Sequence, residues 1–388
     1  MENLKTIQAF HQYLNYTENW AYRLIKNIPE TKHFIVSKEF LKYNFYDSRF
    51  EYIEFPIKRI NIKNKTLPIK IYNRFVLYLL KTYPSYIKSM LKKEKIDILH
   101  SHFAFTGYDY LPLAKKLNVK HVVSFYGLDY EFLPYNWPEW EKKYKKLFKE
   151  ADLFICEGKH GAKILKGKGC PPEKVVVNKL GVEVDKIPFY KREKKKYSLK
   201  LVQVASFREK KGHIYTVQAF HKALENCPNM HLTLVGEGEL KEKIKNLVKK
   251  LKIEDKVTFL GKIDYENLYE FLKDFDVFIH PSCYTENRDC EGGAPVVLLD
   301  AQATGLPVIS TRHCDIPEEV IHGKTGLLSR EKDIDELAKN IEFFYKMDKD
   351  MYAIFSETAR KHIEREYDIK KNAKNLLSLY RDLLKNGR

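Results

Sequence analysis

Short apolar runs recur along this chain, each separated from the next by enough residues for a helix, and that alternation excludes most folds. In the first half the runs are Lys5–Ile7, His33–Val36, Phe50–Phe55, Ile96–His102, His121–Phe125, Asp152–Cys156 and Lys174–Val177. In the second half they are Leu199–Ala205, His231–Val235, Val257–Gly261, Phe275–Ile279 and Val308–Ser310. Runs bounded by turn residues predict strands, and helical segments between them predict parallel strands covered by helices. The alternation runs through twice, on either side of Lys191–Lys196 (KREKKK), which has no apolar residue and reads as a linker. At 388 residues the chain exceeds one ordinary core. The expectation is an α/β protein of two doubly wound Rossmann-like domains facing a central cleft, residues 1–190 and 199–368 joined by a basic linker at 191–198.

The most informative stretch is 275–312. The strand Phe275–Ile279 ends at His280-Pro281-Ser282, and a polar loop follows with Glu286, Arg288, Asp289 and Glu291. Gly292-Gly293-Ala294-Pro295 then opens a helix predicted from Val296 to Thr304, stopped by Gly305 and Pro307. A strand, a Gly-rich turn and a helix aim free N–H groups and the positive helix end at one place, which suits a phosphate or another anion. Glu291 and Asp300 flank that turn, and acids beside an anion site need a reason such as sugar hydroxyls. A solvated loop before an ordinary amphipathic helix is the plainer reading. Ser206–Gly212, a short basic turn before the helix Ile214–Asn226, is a second candidate phosphate cradle.

In open α/β sheets ligands bind outside the carboxyl ends of strands. That rule sends His102, Tyr126 and Asp129, each at or just beyond a strand end, toward one crevice. At the N-terminus a turn at Asn15–Glu18 leads into a helix carrying Trp20, Tyr22, Leu24, Ile25 and Ile28.

Charge separates the halves. Residues 1–200 hold 39 Lys and Arg against 21 Asp and Glu, a balance of +18, while residues 201–388 hold 30 against 31. A basic half implies an anionic partner, or a Lys-rich bias of composition. Residues 57–95 are basic and interleaved with Tyr72, Phe75, Tyr78, Tyr83 and Tyr86. The spacing of Ile71, Phe75, Tyr78 and Leu79 predicts core packing, with the intervening lysines forming a solvated helix face or, alternatively, a surface able to lie on anionic lipid. No apolar run approaches the ~20 residues of a membrane span, and the N-terminus lacks the layout of a signal peptide. The expected location is cytoplasmic, with peripheral attachment to the inner face of the membrane as an option. The six cysteines (156, 170, 227, 283, 290, 314) show no zinc-site spacing and read as reduced thiols.

Three motifs in order, at Arg208–Gly212, Gly236–Gly238 and Glu291–Asp300, resemble those of the family-4 retaining glycosyltransferases of the GT-B fold, and the match spans essentially the whole chain. FYGLD at 125–129, Gly169-Cys170-Pro171-Pro172 and LGVEVD at 180–185 look like the subgroup near colanic-acid and exopolysaccharide transferases. The resemblance implies a C-terminal domain that binds a nucleotide-diphosphate sugar, an N-terminal domain that binds the acceptor, and a C-terminal helix at 369–388 packed back on the N-terminal domain. It implies transfer with retention and no metal or other cofactor, the donor being a UDP-sugar or GDP-mannose and the acceptor a saccharide or lipid-linked saccharide.

The donor-side positions so implied are Ser206, Arg208, Lys211, Gly236, Glu237, Lys262, Ile263, Glu291, Gly292, Gly293, Ala294 and Asp300. The acceptor-side positions are Glu18, His102 and Tyr126. Glu291, Lys211, Arg208, Tyr126 and Asp129 are the candidate catalytic residues, with Lys211 matching the diphosphate lysine, Glu291 the acid on the donor sugar and Asp300 the acid on the ribose. The chain departs from the family in three ways. Asp300 follows Glu291 by nine residues where a Glu usually follows by eight, Ser206 aligns with the usual diphosphate arginine, and Tyr126 stands where most members have His.

Other readings are weaker on the residues. A sugar-nucleotide epimerase would share the fold, and a phosphorylase would need a pyridoxal-phosphate lysine in a context not evident here. The basic, aromatic first half admits a nucleic-acid binder, but its lysines spread over many elements and no nucleic-acid motif occurs. No GxGxxG follows the first strand, which argues against a dinucleotide oxidoreductase.

Overall fold

In the computed structural model, which describes residues 3–14, 18–41, 45–54, 56, 66–79 and 82–385, the strands fall into two all-parallel sheets. The first contains β1 (Leu4–Phe10), β2 (Thr31–Ser37), β3 (Glu51–Glu54), β4 (Ile98–His102), β5 (Lys120–Phe125), β6 (Leu153–Cys156) and β7 (Val175–Val177), in the order β3-β2-β1-β4-β5-β6-β7. The second contains β8 (Leu199–Val204), β9 (Met230–Val235), β10 (Val257–Leu260), β11 (Val277–His280), β12 (Val308–Thr311) and β13 (Gly326–Ser329), in the order β10-β9-β8-β11-β12-β13. Strand order reverses between β1 and β4 in one sheet and between β8 and β11 in the other. Those reversals leave crevices at the carboxyl ends, where ligands of doubly wound sheets bind.

Helices cover both faces of each sheet, so side chains of both parities along a strand are buried. Every residue of β4, β11, β12 and β13 is buried. The helix Ile369–Lys385 leaves the second domain and packs Leu376, Leu377 and Tyr380 against Leu24, Ile98 and Val122 of the first. The Tyr380 hydroxyl lies 2.6 Å from His100 Nδ1 inside that domain. Among the described residues no helix is long and apolar enough to cross a membrane.

The run Lys191–Lys196, expected as a linker, is anchored: Arg192 donates to the carbonyls of Phe275, Leu272 and Thr304, and Lys194 Nζ donates to the Ser198 carbonyl at 2.6 Å. Cations satisfy carbonyls at element ends as well as facing water, which a charge count does not reveal. The helix between β4 and β5 begins at Ala104, where the Asp129 carboxylate accepts the Ala104 N–H at 3.0 Å and anchors the first turn. One expectation needs correction: the helix Leu67–Leu79 turns Ile71, Phe75 and Tyr78 outward, 62, 56 and 65% exposed, while Asn73 and Val76 face inward. The turn expected at Asn15–Glu18 lies, Glu18 apart, outside the described residues.

Candidate active site

The reversal between β8 and β11 brings together two stretches distant in sequence. Gly212 adopts φ +68 at the start of the helix His213–Leu224, and a Cβ there would overlap the Pro281 carbonyl. The loop after β8 is therefore pressed against the end of β11. This contact puts Lys211 Nζ 2.8 Å from Glu291 Oε2. Glu291 is further fixed by the Ser282 hydroxyl, which donates to Oε1 at 3.0 Å, and by its own N–H, which donates to His313 Nε2 at 3.2 Å. Since that nitrogen accepts, the proton of His313 sits on Nδ1, directed at Glu331 Oε1 2.7 Å away. Burial pushes the Glu291 carboxyl up, but Lys211 and His280 outweigh it and hold the group well below the carboxylate range. Glu291 thus stays charged in a nearly closed site.

Lys210, part of the basic turn but not among the expected site positions, donates to Asp289 Oδ1 and to the Cys290 carbonyl, both at 3.0 Å. It fixes the polar loop just before the Gly292-Gly293 turn. Arg208 extends into solvent at the rim, and Ser206, half-buried, begins the same turn. Gly236 (φ +138), Glu237, Lys262 and Ile263 follow β9 and β10 on the same edge of the sheet, joined by Lys241 Nζ, which donates to Glu237 Oε1 at 2.7 Å and to the Gly236 carbonyl at 3.1 Å. Ala294 lies half-buried beyond the turn. The donor-side positions therefore line one edge, with one qualification. Asp300 Oδ1 is taken by two hydroxyls, from Tyr265 at 2.5 Å and Tyr269 at 3.0 Å. Arg23, from the first domain, donates to the Tyr265 hydroxyl at 2.6 Å and stacks over its ring at 3.6 Å. In this arrangement a ligand reaches that oxygen by replacing a tyrosine.

The first-domain expectations, acceptor-side Glu18, His102 and Tyr126 and the candidate catalytic Asp129, fare differently. Asp129 is fully buried and accepts the N–H groups of Ala104 and Tyr126 at 3.0 and 2.9 Å; burial pushes its carboxyl up to about 8 despite those donors. It is a brace between two strand-end loops and not a group in the cleft. His102 is also fully buried, stacked on Phe10 at 4.4 Å, with burial lowering it to about 3. The Gln8 amide N–H groups point to Thr6 and Tyr380, so its carbonyl accepts from His102 Nε2 at 3.0 Å. His102 Nδ1 must then accept from the Tyr126 hydroxyl at 2.9 Å. Tyr126 spends its proton inward and is held between Trp20 and Phe103, at 4.4 and 4.8 Å. Glu18 sits half-buried at the start of the helix Asn19–Lys26. Strand ends locate these backbones correctly, but three side chains turn into the domain.

A first-domain side chain that does face the turn is Glu157, just beyond β6. A Cβ on Gly293 would overlap its carboxylate. Nothing in the sequence marks this residue beyond its place at a strand end. Asp315 and Glu319 of the second domain line the same small cavity, and each has one buried oxygen without a hydrogen-bond partner among the described residues. Asp315 Oδ1 accepts the His160 N–H at 2.7 Å, and Glu318 accepts the Lys159 N–H at 3.1 Å, so acids of one domain cap a helix of the other.

Burial raises Glu157 and Glu319 well above the usual range and Asp315 to about 6. A carboxyl whose folded pKa is raised binds more protons folded than unfolded between about 4 and 6. Its contribution to stability is full below that window and lost as pH rises through it. Asp315→Asn, which keeps an acceptor for His160, is expected to match the parent near pH 4. At pH 7 it should be more stable by about 1–3 kcal/mol in denaturant unfolding. A gap independent of pH would assign Asp315 no such role.

With this geometry in hand, the comparisons with known proteins are specific. Residues 185–362 match the family described as glycosyl transferases group 1, and residues 45–186 match glycosyltransferase family 4. A protein of Salmonella typhimurium named for a colanic acid biosynthesis glycosyltransferase is 30% identical over 288 residues, 73% of this chain and 70% of its own. An amylovoran biosynthesis glycosyltransferase of Erwinia amylovora is 31% identical over 257 residues, 66% of this chain and 63% of its own. The structure of HepE from Anabaena in complex with UDP and glucose superimposes with a TM-score of 0.73 at 14% identity, covering 98% of this chain and all of that one. Two parallel doubly wound domains closing on a phosphate-suited turn thus make this a GT-B protein. The chain belongs to the group 1 glycosyltransferases, and its activity is that of a glycosyltransferase.

Proposed function

We propose that this glycosyltransferase moves a hexose-type sugar from a nucleotide-diphosphate sugar, a UDP-sugar or GDP-mannose, to a glycan or lipid-linked saccharide. The transfer retains the anomeric configuration, needs no bound metal, and serves the synthesis of a surface polysaccharide or glycolipid. The observation that carries the donor reading is the meeting of Lys211, Glu291 and the Gly292-Gly293 turn at the reversal of the second sheet. The Anabaena protein seen with UDP and glucose supports a uridine donor, and the relatives named for colanic acid and amylovoran biosynthesis support a polysaccharide product.

The chemistry follows from charge. As the bond between the anomeric carbon and the phosphate oxygen stretches, the departing diphosphate gains negative charge. In this reading Lys211 and the N–H groups of the turn meet it, with Arg208 swinging in from the rim, and donors that strengthen only as charge develops lower the barrier. Glu291 holds hydroxyls of the transferred sugar and keeps Lys211 charged. The acceptor oxygen bonds the anomeric carbon on the face the phosphate leaves, and its proton passes to the departing phosphate oxygen, so no side-chain nucleophile is required. The basic first domain suits a peripheral position on the inner face of the membrane, where lipid-linked acceptors are presented.

Incubation with UDP-glucose, UDP-galactose and GDP-mannose, with and without a chelator, tests this reading. The expected result is consumption of one donor class at a rate the chelator does not change. The product's anomeric proton coupling should match the donor's. An inverted product, or a donor isomerised with no acceptor present, would overturn it.

A further inference from the structure

The helix Leu67–Leu79 presents to solvent what a globular domain normally buries. Leu67, Ile71 and Phe75 recur every fourth residue and are 70, 62 and 56% exposed, so they share one side of the helix. The opposite side is satisfied, with Val76 fully buried in the first domain. Lys70 and Arg74 are exposed beside the apolar stripe. The surrounding sequence is one-sided in charge as well: from Glu54 to Glu94 there is no acidic residue, and ten Lys and Arg lie between them. Met90, on the helix Tyr83–Met90, adds a further apolar side chain at 57% exposure.

We propose that this helix face is the surface by which the enzyme lies on an anionic lipid bilayer. An apolar stripe flanked by cations on a helix too short to span is the arrangement that settles at the boundary of headgroups and acyl chains. There the apolar side chains leave water and the cations meet lipid phosphate, and both contributions are available at once only on an anionic membrane. The same charge argues against the other occupants. A second copy docked through this face would oppose one basic stripe to another, in a chain of net charge +17. A nucleic acid would answer the cations but leave Leu67, Ile71 and Phe75 in water. The proposal does not depend on which donor the enzyme uses, because adsorption is measured without one.

Co-sedimentation of the full chain with vesicles of phosphatidylcholine alone, and of phosphatidylcholine with phosphatidylglycerol, tests it. The expected result is binding to the mixed vesicles, weakened by salt, with at least roughly tenfold less on phosphatidylcholine alone. Ile71→Asp combined with Phe75→Asp should lose binding to the mixed vesicles by at least roughly tenfold, with an unchanged circular dichroism spectrum and unchanged transfer to a soluble acceptor. Lys70→Gln combined with Arg74→Gln, which leaves the apolar stripe in place, should weaken binding and flatten its salt dependence, and guards against misfolding of the first variant. Binding that neither pair changes would overturn the proposal. So would equal binding to both vesicle types, or a concentration-dependent dimer in sedimentation that the Asp pair dissolves.

Discussion

Glu291→Gln is expected to slow sugar transfer by roughly 30- to 1000-fold, about 2–4 kcal/mol in the barrier, with the fold intact. Gln has nearly the shape of Glu, so the Ser282 and Lys211 donors still find one carbonyl oxygen between them. What changes is charge. Lys211 is 17% exposed at its side chain and has Glu291 as its near counter-charge, with Oε2 at 2.8 Å. Without that carboxylate, burial favours a neutral amine, and a neutral Lys211 no longer opposes the charge growing on the departing phosphate. One substitution therefore weakens the hold on the sugar and on the leaving group together. Lys211→Ala should cost a similar factor for the complementary reason, leaving Glu291 buried and unpaired beside an anion. Because the two act as one unit, the double variant should be little slower than either single one. Turnover at saturating donor, with melting points to verify folding, checks this. Full activity in both single variants would remove the site from where Lys211 and Glu291 place it.

How far the sequence carried the reader depends on which physical question it was asked. Alternation of apolar runs marks parallel strands well, because a strand buried on both faces needs no polar residue until it ends. The Gly-Gly turn and Glu291 stood out for a similar reason, since backbone N–H groups at a helix start and charged residues near them have few structural uses; Lys211 was singled out by the family resemblance. Side-chain direction was not legible. His102 and Tyr126 stand at strand ends, yet His102 is stacked on Phe10 and bonded to Gln8, from a strand 94 residues away in sequence. No local pattern encodes that partner. Asp129 reads as an acid at a crevice, but its work is to collect two loop N–H groups. The outward turn of Ile71 and Phe75 was hidden by the assumption that apolar residues at helical spacing face a core. Glu157 and Asp315 matter only because two domains meet, and a contact between domains has no signature in either one.

Gly292→Ala should reduce transfer by about 100-fold while both domains still fold. Gly292 has φ +80, a left-handed conformation that costs an L-residue roughly 1–2 kcal/mol. The larger obstacle lies outside its own loop. A Cβ on Gly292 would overlap the Cα of Gly127 in the first domain, and a Cβ on Gly127 would lie 2.6 Å from the Glu291 carbonyl oxygen. The turn that carries Glu291 and the loop that follows Tyr126 meet backbone to backbone, with no room for one methyl group. In the proposed transfer groups of both domains meet on one anomeric carbon, and a displacement of about 1 Å at such a site costs about 100-fold. The loss should fall on turnover with acceptor, and donor affinity, held within the second domain, should change far less. Gly127→Ala separates the two causes. Its backbone is ordinary for any residue, φ −41 and ψ −51, so alanine adds no strain there and introduces only the obstruction. Comparable losses in both variants, measured as turnover against donor KM, would assign the effect to closure. Full turnover in Gly127→Ala beside a crippled Gly292→Ala would confine the requirement to the turn's own conformation and leave the contact between the domains without a catalytic part.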